Sequence, residues 1–518
     1  MNRTKMSILS MAVMLACSSQ YAYSAGISAT NGDLTVTEGL IDNSNGSIAI
    51  NSENGHKISV LADTINAVAM EFGLQVQSKS SAQIGNENST VSLRAINSND
   101  IHARGVSVSG NSNASISGKE ISIDAFAGSN TVAYGVYVKY DDKSNSPSTI
   151  TIGTSKTEKI SIVADGNGGS YALVNIKGSA TLTANEIEIE STGLGLHVGN
   201  NTQDAMAPAN RASTIVRAQK TTINAEAVGI GAFSNGLMDI SGDLTVNAPN
   251  AIDVRGNSTV NINQDGKGVV ILNGDIVFET PATPGDAQNS GEKINSYVNL
   301  NLTEGSQWNG RAYQEYGNKN PIQTVELENP PFYGNVTGFS VTIDNGAAWN
   351  MDGDSFVNTL EVKKGGAVNV QKDAALFNAT EIKLSGGVIA LEDVDQKLNI
   401  NTLSGTDGTF NVKAARNSDG SFSKASINVK RVEKGMTITE AYSGVDADGI
   451  SKSDLTKLRA LNAPSGDLTL VQVVPEGDIN GTMTYVTDAD GTTTSSEVKN
   501  TRQDAYESLT SMNFLAWP

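Results

Sequence analysis

Short alternating segments recur three at a time through the N-terminal half of this chain, and this rhythm constrains the fold more than any other feature. It is clearest between Arg104 and Ala125, where segments 105–108, 114–116 and 121–125 carry apolar residues at every second position. Such alternation indicates β-strands that bury one face and expose the other. Polar turns separate the three strands, so each group of three can form one coil of a solenoid.

The same three strand positions return from about residue 26 to residue 275. Segments at the first position are 73–76, 105–108, 135–138, 172–174, 195–198, 229–231 and 251–254. Segments at the second position are 114–116, 150–152, 180–182, 238–240 and 260–262, and those at the third are 121–123, 160–162, 187–189, 222–224 and 244–246. The shortest steps, Ala172 to Gly195 and Gly229 to Ala251, are 23 and 22 residues, which fits one coil of three strands.

A small residue opens most of the first positions. It predicts a tight corner where glycine takes a positive φ and stacked backbones approach closely. Insertions at 139–148 and 199–212 are expected to form loops, and Asn and Ser in the turns are expected to bond backbone groups. We therefore expect an all-β fold, a right-handed single-stranded parallel β-helix. An antiparallel β-sandwich is the alternative, but the regular threefold recurrence favours the solenoid.

Residues 1–24 have the features of a secretory signal peptide. Arg3 and Lys5 precede an apolar run at 8–16, and Ala22 and Ser24 predict cleavage before Ala25. The alternative is a lipoprotein leader cut before Cys17. Cys17 is the only cysteine, so the mature chain would have none. Because secreted proteins have access to disulfides, this avoidance suggests a chain that crosses a second membrane unfolded.

The formal net charge of −19 argues against nucleic acid and anionic lipid as partners, since both require clustered Lys and Arg.

Segments 280–286 and 329–331 are rich in loop-forming residues, although 299–302 with Trp308 still predicts a coil. Residues 279–332 are therefore interpreted as a decorated section of the solenoid.

The segment 347–370 contains a W-x-M-x-G-x-S motif, followed by an L-x-V strand and a glycine turn. The motif residues are Trp349, Met351, Gly353, Ser355, Leu360, Val362, Gly365 and Gly366. Together with 398–410, this segment resembles the passenger domains of pertactin-like (type V) autotransporters of Gram-negative bacteria. The resemblance implies that 341–490 is an autochaperone-like section, which folds first and templates the rest of the helix during export.

The resulting domain plan is a signal peptide at 1–24, a β-helix passenger at 25–340, the autochaperone-like section at 341–490, and a linker with the start of a translocator helix at 491–518. Helical patterns are predicted at 453–461 and 501–517. Four aromatic residues are expected to cap the open edge of the solenoid: Trp349, Phe356, Phe377 and Phe410. The family continues with a membrane barrel that does not follow Pro518, so export is expected to use a barrel in trans, or the gene is truncated.

Two kinds of motif resemble known catalytic or metal-binding loops. Gly353-Asp354-Ser355 resembles part of a serine-protease loop, but a triad needs a nearby base and the histidines lie far upstream, at His56, His102 and His197. Segments 446–449 and 488–491 resemble pieces of calcium loops without the EF-hand spacing, and Asp-Gly turns explain them. The sequence predicts no catalytic residue, metal site or cofactor.

The sequence thus favours a monomeric, non-catalytic passenger that is secreted or held at the outer cell surface, or periplasmic if no barrel serves it. We expect it to act as an adhesin or display protein for a host-surface or glycan receptor. The alternative is a secreted β-helical polysaccharide lyase or hydrolase. Its candidate acids do not share one strand position in consecutive coils: Asp124, Glu188, Asp239 and Asp253.

Overall fold

The computed structural model describes residues 25–97, 101–128, 131–139, 146–167, 169–199, 211–280, 296–316, 337–432, 437–443, 473–475, 481–487 and 493–500. Its regular elements are all strands, and they fall into two compact units, residues 1–192 and 193–518. Within the described ranges, no helix has the length and hydropathy needed to cross a membrane.

The described part of unit 1 contains seventeen strands. They are β1 Ile27–Ala29, β2 Leu34–Val36, β3 Leu40–Asn43, β4 Ile48–Ser52, β5 Lys57–Val60, β6 Thr64–Ala69, β7 Phe72–Val76, β8 Ser81–Ile84, β9 Thr90–Asn97, β10 Ala103–Val108, β11 Asn113–Ile116, β12 Glu120–Ala127, β13 Ala133–Lys139, β14 Thr149–Ile152, β15 Lys159–Gly166, β16 Ser170–Ile176 and β17 Ser179–Ser191.

These strands stack into three parallel sheets, one for each strand position. The first sheet is β1, β4, β7, β10, β13 and β16. The second is β2, β5, β8, β11, β14 and the start of β17. The third is β3, β6, β9, β12, β15 and the rest of β17. Each strand pairs with its equivalent one coil away, which confirms the parallel solenoid and excludes the β-sandwich.

Unit 2 continues the same pattern with longer strands. They are β18 Leu194–Val198, β19 Ser213–Ala225, β20 Val228–Ala232, β21 Leu237–Arg255, β22 Thr259–Ile262, β23 Val270–Thr280, β24 Ser296–Leu302, β25 Gln307–Asn309, β26 Ala312–Tyr316, β27 Thr337–Ile343, β28 Ala348–Met351, β29 Ser355–Lys363, β30 Ala367–Val370, β31 Leu376–Leu391, β32 Lys397–Arg416, β33 Phe422–Lys424, β34 Ser426–Val432, β35 Thr437–Ser443, β36 Val473–Pro475, β37 Gly481–Thr487 and β38 Thr493–Asn500.

Several strands of unit 2 run through a corner and supply more than one sheet. Thus β31 pairs in parallel with β29 and β30 on one side and with β32 on the other. The pairing becomes antiparallel near the end, where β35 meets β37 and β37 forms a hairpin with β38. This hairpin covers part of the edge of β35.

The interior of unit 2 contains a cluster of aromatic rings. Trp308 and Trp349 stack at 4.2 Å between ring centroids, and their indole N–H groups donate to the carbonyls of Gly274 (3.0 Å) and Gly310 (2.9 Å). The prediction that aromatic residues cap an open edge is wrong for Trp349, since β28 has a paired coil on each side. The same holds for the other three, which are buried inside paired coils: Phe356, Phe377 and Phe410.

An asparagine ladder runs along the outer face of the third sheet of unit 2. Each side-chain amide donates to the amide oxygen one coil before it, at 2.8 Å in all five steps. The ladder residues are Asn224, Asn247, Asn273, Asn309, Asn350 and Asn369. Aligned amides of this kind reinforce the backbone pairing of the coils.

The corners use buried hydroxyls and turn residues, as predicted. Ser112 Oγ accepts from the N–H of Ser80 at 3.1 Å, and Ser148 Oγ donates to the Lys139 carbonyl at 2.7 Å, which ties the two ends of the 139–148 insertion. Asn54 and Asn111 take positive φ values of 60° and 59°. The two serine hydroxyls satisfy backbone groups that would otherwise be buried without partners.

The glycines of the first sheet allow close packing between sheets, whereas the prediction gave them a positive φ at a corner. Gly105 is absent from the residues with positive φ, but a Cβ placed on it would lie 2.6 Å from Ile123 Cγ2 and 2.8 Å from the Gly135 carbonyl oxygen. The residue is required by close approach of the first and third sheets, so the predicted left-handed corner is wrong there. The pairing also skips Gly105 and Gly135, which mark a bend in each strand.

One predicted register is off by a single residue. The sequence pattern predicts that 222–224 aligns with 244–246, whereas Thr221 pairs with Leu244 and Ile223 with Val246. A bulge between Arg217 and Lys220 changes the phase of the alternation.

Several predictions fall where the structure gives no test. The signal peptide, the 453–461 and 501–517 helices, and the Asp-Gly segments at 446–449 and 488–491 lie outside the described residues. The predicted boundary at 340/341 falls within β27, and that at 490/491 lies between the strands of the β37–β38 hairpin. The domain plan and the handedness stay predictions.

Candidate interaction surface

A row of large side chains lies on the outer face of the first sheet of unit 1. In each coil it is the residue just before the bend: Phe72, Arg104, Tyr134 and Tyr171 are aligned by strand pairing. The neighbours Ala103 and Val106 are fully buried, so Arg104 faces outward. With Tyr137 from the next outward row, these residues form what we call the aromatic–arginine strip.

The strip is held together by ring stacking and cation–π contacts. The Arg104 guanidinium lies 5.2 Å from the Phe72 ring, 5.4 Å from Tyr134 and 5.2 Å from Tyr137. The rings of Tyr134 and Tyr171 are nearly parallel, 5.5 Å apart at 11°. Such contacts stabilise an arginine at a surface without removing its charge.

The bend at Gly135 brings two outward rows of the strip together. Tyr134 and Tyr137 are three residues apart on one strand, yet their ring centroids are 5.1 Å apart. Their side chains and that of Arg104 are only partly buried. The Arg104 guanidinium therefore lies beside this pair of rings, 5.4 Å and 5.2 Å from their centroids.

His102 stands beside the strip at the corner before β10. Its ring meets Tyr134 edge-on at 6.0 Å, and its Nδ1 accepts a hydrogen bond from the Val132 N–H at 3.1 Å. Because Nδ1 is an acceptor, the ring carries its proton on Nε2. This N–H is a further donor at an exposed side chain.

Arg104 differs from Arg94 and Arg311 in its electrostatic surroundings. Arg94 pairs with Asp124 at 3.3 Å and Arg311 with Asp275 at 3.1 Å. Arg104 forms no ion pair with any carboxylate in the part of the chain that the structure describes, and its Nε is buried without a hydrogen-bond partner there. The strip therefore presents a positive charge that nothing described neutralises.

The Tyr134 hydroxyl remains a neutral donor. Burial raises the pKa of Tyr134, and the neighbouring Tyr137 and Tyr171 raise it further, against the lowering effect of Arg104. A raised pKa keeps the phenol protonated at neutral pH.

The protease-like serine is placed in a corner of the solenoid. Ser355 is buried, its Oγ donates to the Gly353 carbonyl at 2.8 Å, and it accepts from the Ala312 N–H at 3.1 Å. The histidines are engaged elsewhere, His56 near Asp33 at 3.7 Å and His197 with the Gly199 carbonyl at 3.2 Å. The structure therefore gives this motif a structural use and brings no described histidine to it.

The acidic candidates are not brought to one place within either unit. In unit 1, Asp124 aligns with Val163 and pairs with Arg94, and burial raises its pKa against the effect of that arginine. Glu188 occupies another row and pairs with Lys159 at 2.6 Å.

In unit 2, Asp239 lies on the second sheet and the buried Asp253 on the first, 3.9 Å from Arg255. Within the described ranges, no group of three or more His, Cys, Asp or Glu side chains is suited to hold a metal ion.

The strand alternation does not predict the aromatic–arginine strip, although a signal for it is present in the sequence. The residues immediately before Gly73, Gly105, Gly135 and Ala172 are Phe, Arg, Tyr and Tyr. The strand predictions depend on the inward-facing residues, and this column of outward-facing residues is not part of them.

Comparison with known proteins gives little beyond these observations. No family model matches the sequence, and no curated protein matches it significantly. The structure is similar to the crystal structure of the autotransporter UpaB from E. coli strain CFT073, with a TM-score of 0.37 and 14% identity, covering 92% of this chain and 100% of that one. A TM-score of this size does not establish a shared fold.

Proposed function

We propose that this chain is a non-catalytic autotransporter passenger, exported to the outer surface or the medium, which binds a receptor through the aromatic–arginine strip. The single observation that carries the binding role is the partly exposed cluster of Tyr134, Tyr137, Tyr171 and Arg104 on a rigid sheet face. Tyrosine and arginine dominate the binding energy of protein interfaces.

The export part of the proposal is supported by sequence features. They are the predicted signal peptide, the absence of cysteine after Cys17 and the pertactin-like segment at 347–370. A right-handed solenoid that is templated from its C-terminal section belongs to the same proposal.

A purely structural role for the strip is the main competing explanation, since cross-strand aromatic pairs also stabilise sheets. The two roles differ in what a substitution changes. A structural strip affects unfolding alone, whereas a binding strip affects adhesion even where the protein remains folded.

Adhesion of beads coated with the purified full chain tests the binding role. We expect Tyr134→Ser with Tyr171→Ser to abolish most adhesion to receptor-bearing cells under conditions where circular dichroism shows a folded protein. Tyr297→Ser is the matched control, because Tyr297 is 41% exposed and lies outside the strip. Equal adhesion by the double variant and the control would contradict the proposal.

Two further measurements test export and the absence of catalysis. Protease added to intact cells that express the full chain should degrade it, and complete protection would contradict surface display. Release of oligosaccharides from a polysaccharide panel, lost in Asp124→Asn, would instead identify a carbohydrate-active enzyme.

A further inference from the structure

We propose that the aromatic–arginine strip recognises the carboxylate group of an acidic polysaccharide, with Arg104 as the residue that binds the uronate. This inference rests on the proposed binding function and names its ligand class. It is carried by the guanidinium of Arg104, which lies 5.2–5.4 Å from three ring centroids and has no ion pair among the described residues.

The chemistry of the guanidinium suits a carboxylate. Stacking on aromatic faces uses the π surface of the group, while its N–H donors lie in its plane. A planar carboxylate accepts two of these donors side by side, and this bidentate geometry gives the strongest hydrogen bonds available to arginine. Because Arg104 has no acidic partner among the described residues, no existing ion pair must be broken to bind a ligand.

Neighbouring groups fit the rest of a sugar. The Tyr134 hydroxyl and the His102 Nε2–H are donors beside the guanidinium, and sugar hydroxyls accept from such groups. The rings of Tyr137 and Tyr171 offer apolar surface with a polar tip, which matches the amphipathic faces of a pyranose. Coils repeat at about 4.8 Å, close to the length of one sugar residue in an extended chain.

The pairing of the sheet argues against an extended acidic peptide. Peptides that bind sheets usually add a strand to a free edge and gain main-chain hydrogen bonds. Here β10 is paired on both sides, with β7 and β13, and β13 is paired with β16. The strip therefore lies on a face whose backbone groups are already used, so only side chains can recognise a ligand.

Titration calorimetry with the full chain tests this inference. The probe is an oligogalacturonate, and its neutral counterpart is the same oligosaccharide with reduced carboxyl groups. We expect Arg104→Gln to weaken binding of the acidic probe by about tenfold or more, since a charge-assisted bond is lost. Arg104→Lys should also weaken it, because an ammonium cannot form the bidentate pair.

Arg217→Gln is the control. Arg217 is exposed and lies in unit 2, and its substitution removes the same charge. Equal affinity of Arg104→Gln and Arg217→Gln for the acidic probe would overturn the inference, as would equal binding of the acidic and neutral probes. Loss of bead adhesion in the tyrosine double variant, with no binding of the acidic probe, would reject the carboxylate ligand and keep the proposed adhesion. Binding of an acidic peptide but not of the oligogalacturonate would likewise reject a glycan ligand.

Discussion

At the scale of single residues, close packing between sheets decides which side chains the coil tolerates. Gly105 lies where the first and third sheets of unit 1 nearly touch, and its neighbours at Cβ distance are a side-chain methyl and a backbone oxygen. A backbone atom cannot move aside as the end of a flexible side chain can. A larger residue at this position would therefore distort the backbone of two coils.

Gly105→Ala is expected to destabilise the protein by about 1–3 kcal/mol, the range for overpacking a close-packed interior. Urea unfolding followed by circular dichroism measures the change. Gly32→Ala is the control, because nothing lies within 4 Å of a Cβ at Gly32. Equal midpoints for the two variants would show that the sheets separate easily at this column.

His197 gives a second prediction at this scale. Burial lowers its pKa from 6.5 to about 4, the Gly199 carbonyl opposes this, and Arg255 lowers it further. The unfolded chain therefore binds a proton at a pH where the folded chain does not. The neutral histidine contributes fully above about pH 6.5, and its contribution falls by up to about 3 kcal/mol as the pH drops towards 4.

His197→Gln should flatten the part of the pH dependence that belongs to this residue. Urea midpoints at about pH 7.5 and about pH 4.5 are compared for wild type, His197→Gln and the control His56→Gln, since a neutral amide removes the linkage. The wild type and the control should lose more stability on acidification than His197→Gln. The same loss in all three proteins would contradict a buried neutral His197.

At the scale of elements, side-chain ladders add to the backbone pairing of the coils. Asn309 donates to Asn273 and accepts from Asn350, whereas Asn369 only donates, to Asn350. Asn309, inside the ladder, thus forms one more side-chain hydrogen bond than Asn369 at its end. Both are asparagines, and both are partly buried.

Asn309→Ala should cost about twice as much as Asn369→Ala, with about 1 kcal/mol per lost hydrogen bond. Denaturant unfolding of the two variants measures the ratio. If both variants cost the same, the amide contacts contribute no net stability and the ladder follows passively from the backbone register.

Much of the architecture was predictable at the element scale, because alternation and small turn residues act locally. The strands at 105–108, 114–116 and 121–125 and their pairing with equivalents one coil away are confirmed. The strip was not predicted, because the strand predictions use the inward-facing residues, whereas this column faces outward, where the alternation does not set the residue type. The one-residue error at Thr221 arises because a bulge changes the phase without a clear sequence signal.

At the scale of the whole molecule, the two compact units have separate spectroscopic signals. Unit 1 contains no tryptophan, and the two described tryptophans, Trp308 and Trp349, are buried in unit 2. Tryptophan fluorescence thus reports unit 2, while circular dichroism reports both. Solenoids gain stability mainly from neighbouring repeats, so distant coils need not unfold together.

We expect the urea transition seen by tryptophan fluorescence to differ from that seen by circular dichroism, and Gly105→Ala to move the second more than the first. Both probes are recorded on the same samples. Superimposable transitions that shift equally in Gly105→Ala would mean that the molecule unfolds as one cooperative body.

The position just before each bend of the first sheet gives the main row of the strip one residue per coil: Phe72, Arg104, Tyr134 and Tyr171. Duplication of a single coil in the gene would therefore lengthen the receptor-binding face by one rung, and the hydrogen bonds of every other rung would keep their partners. Lineages carrying such a chain would be able to match longer ligands by changing repeat number alone, without inventing a new site.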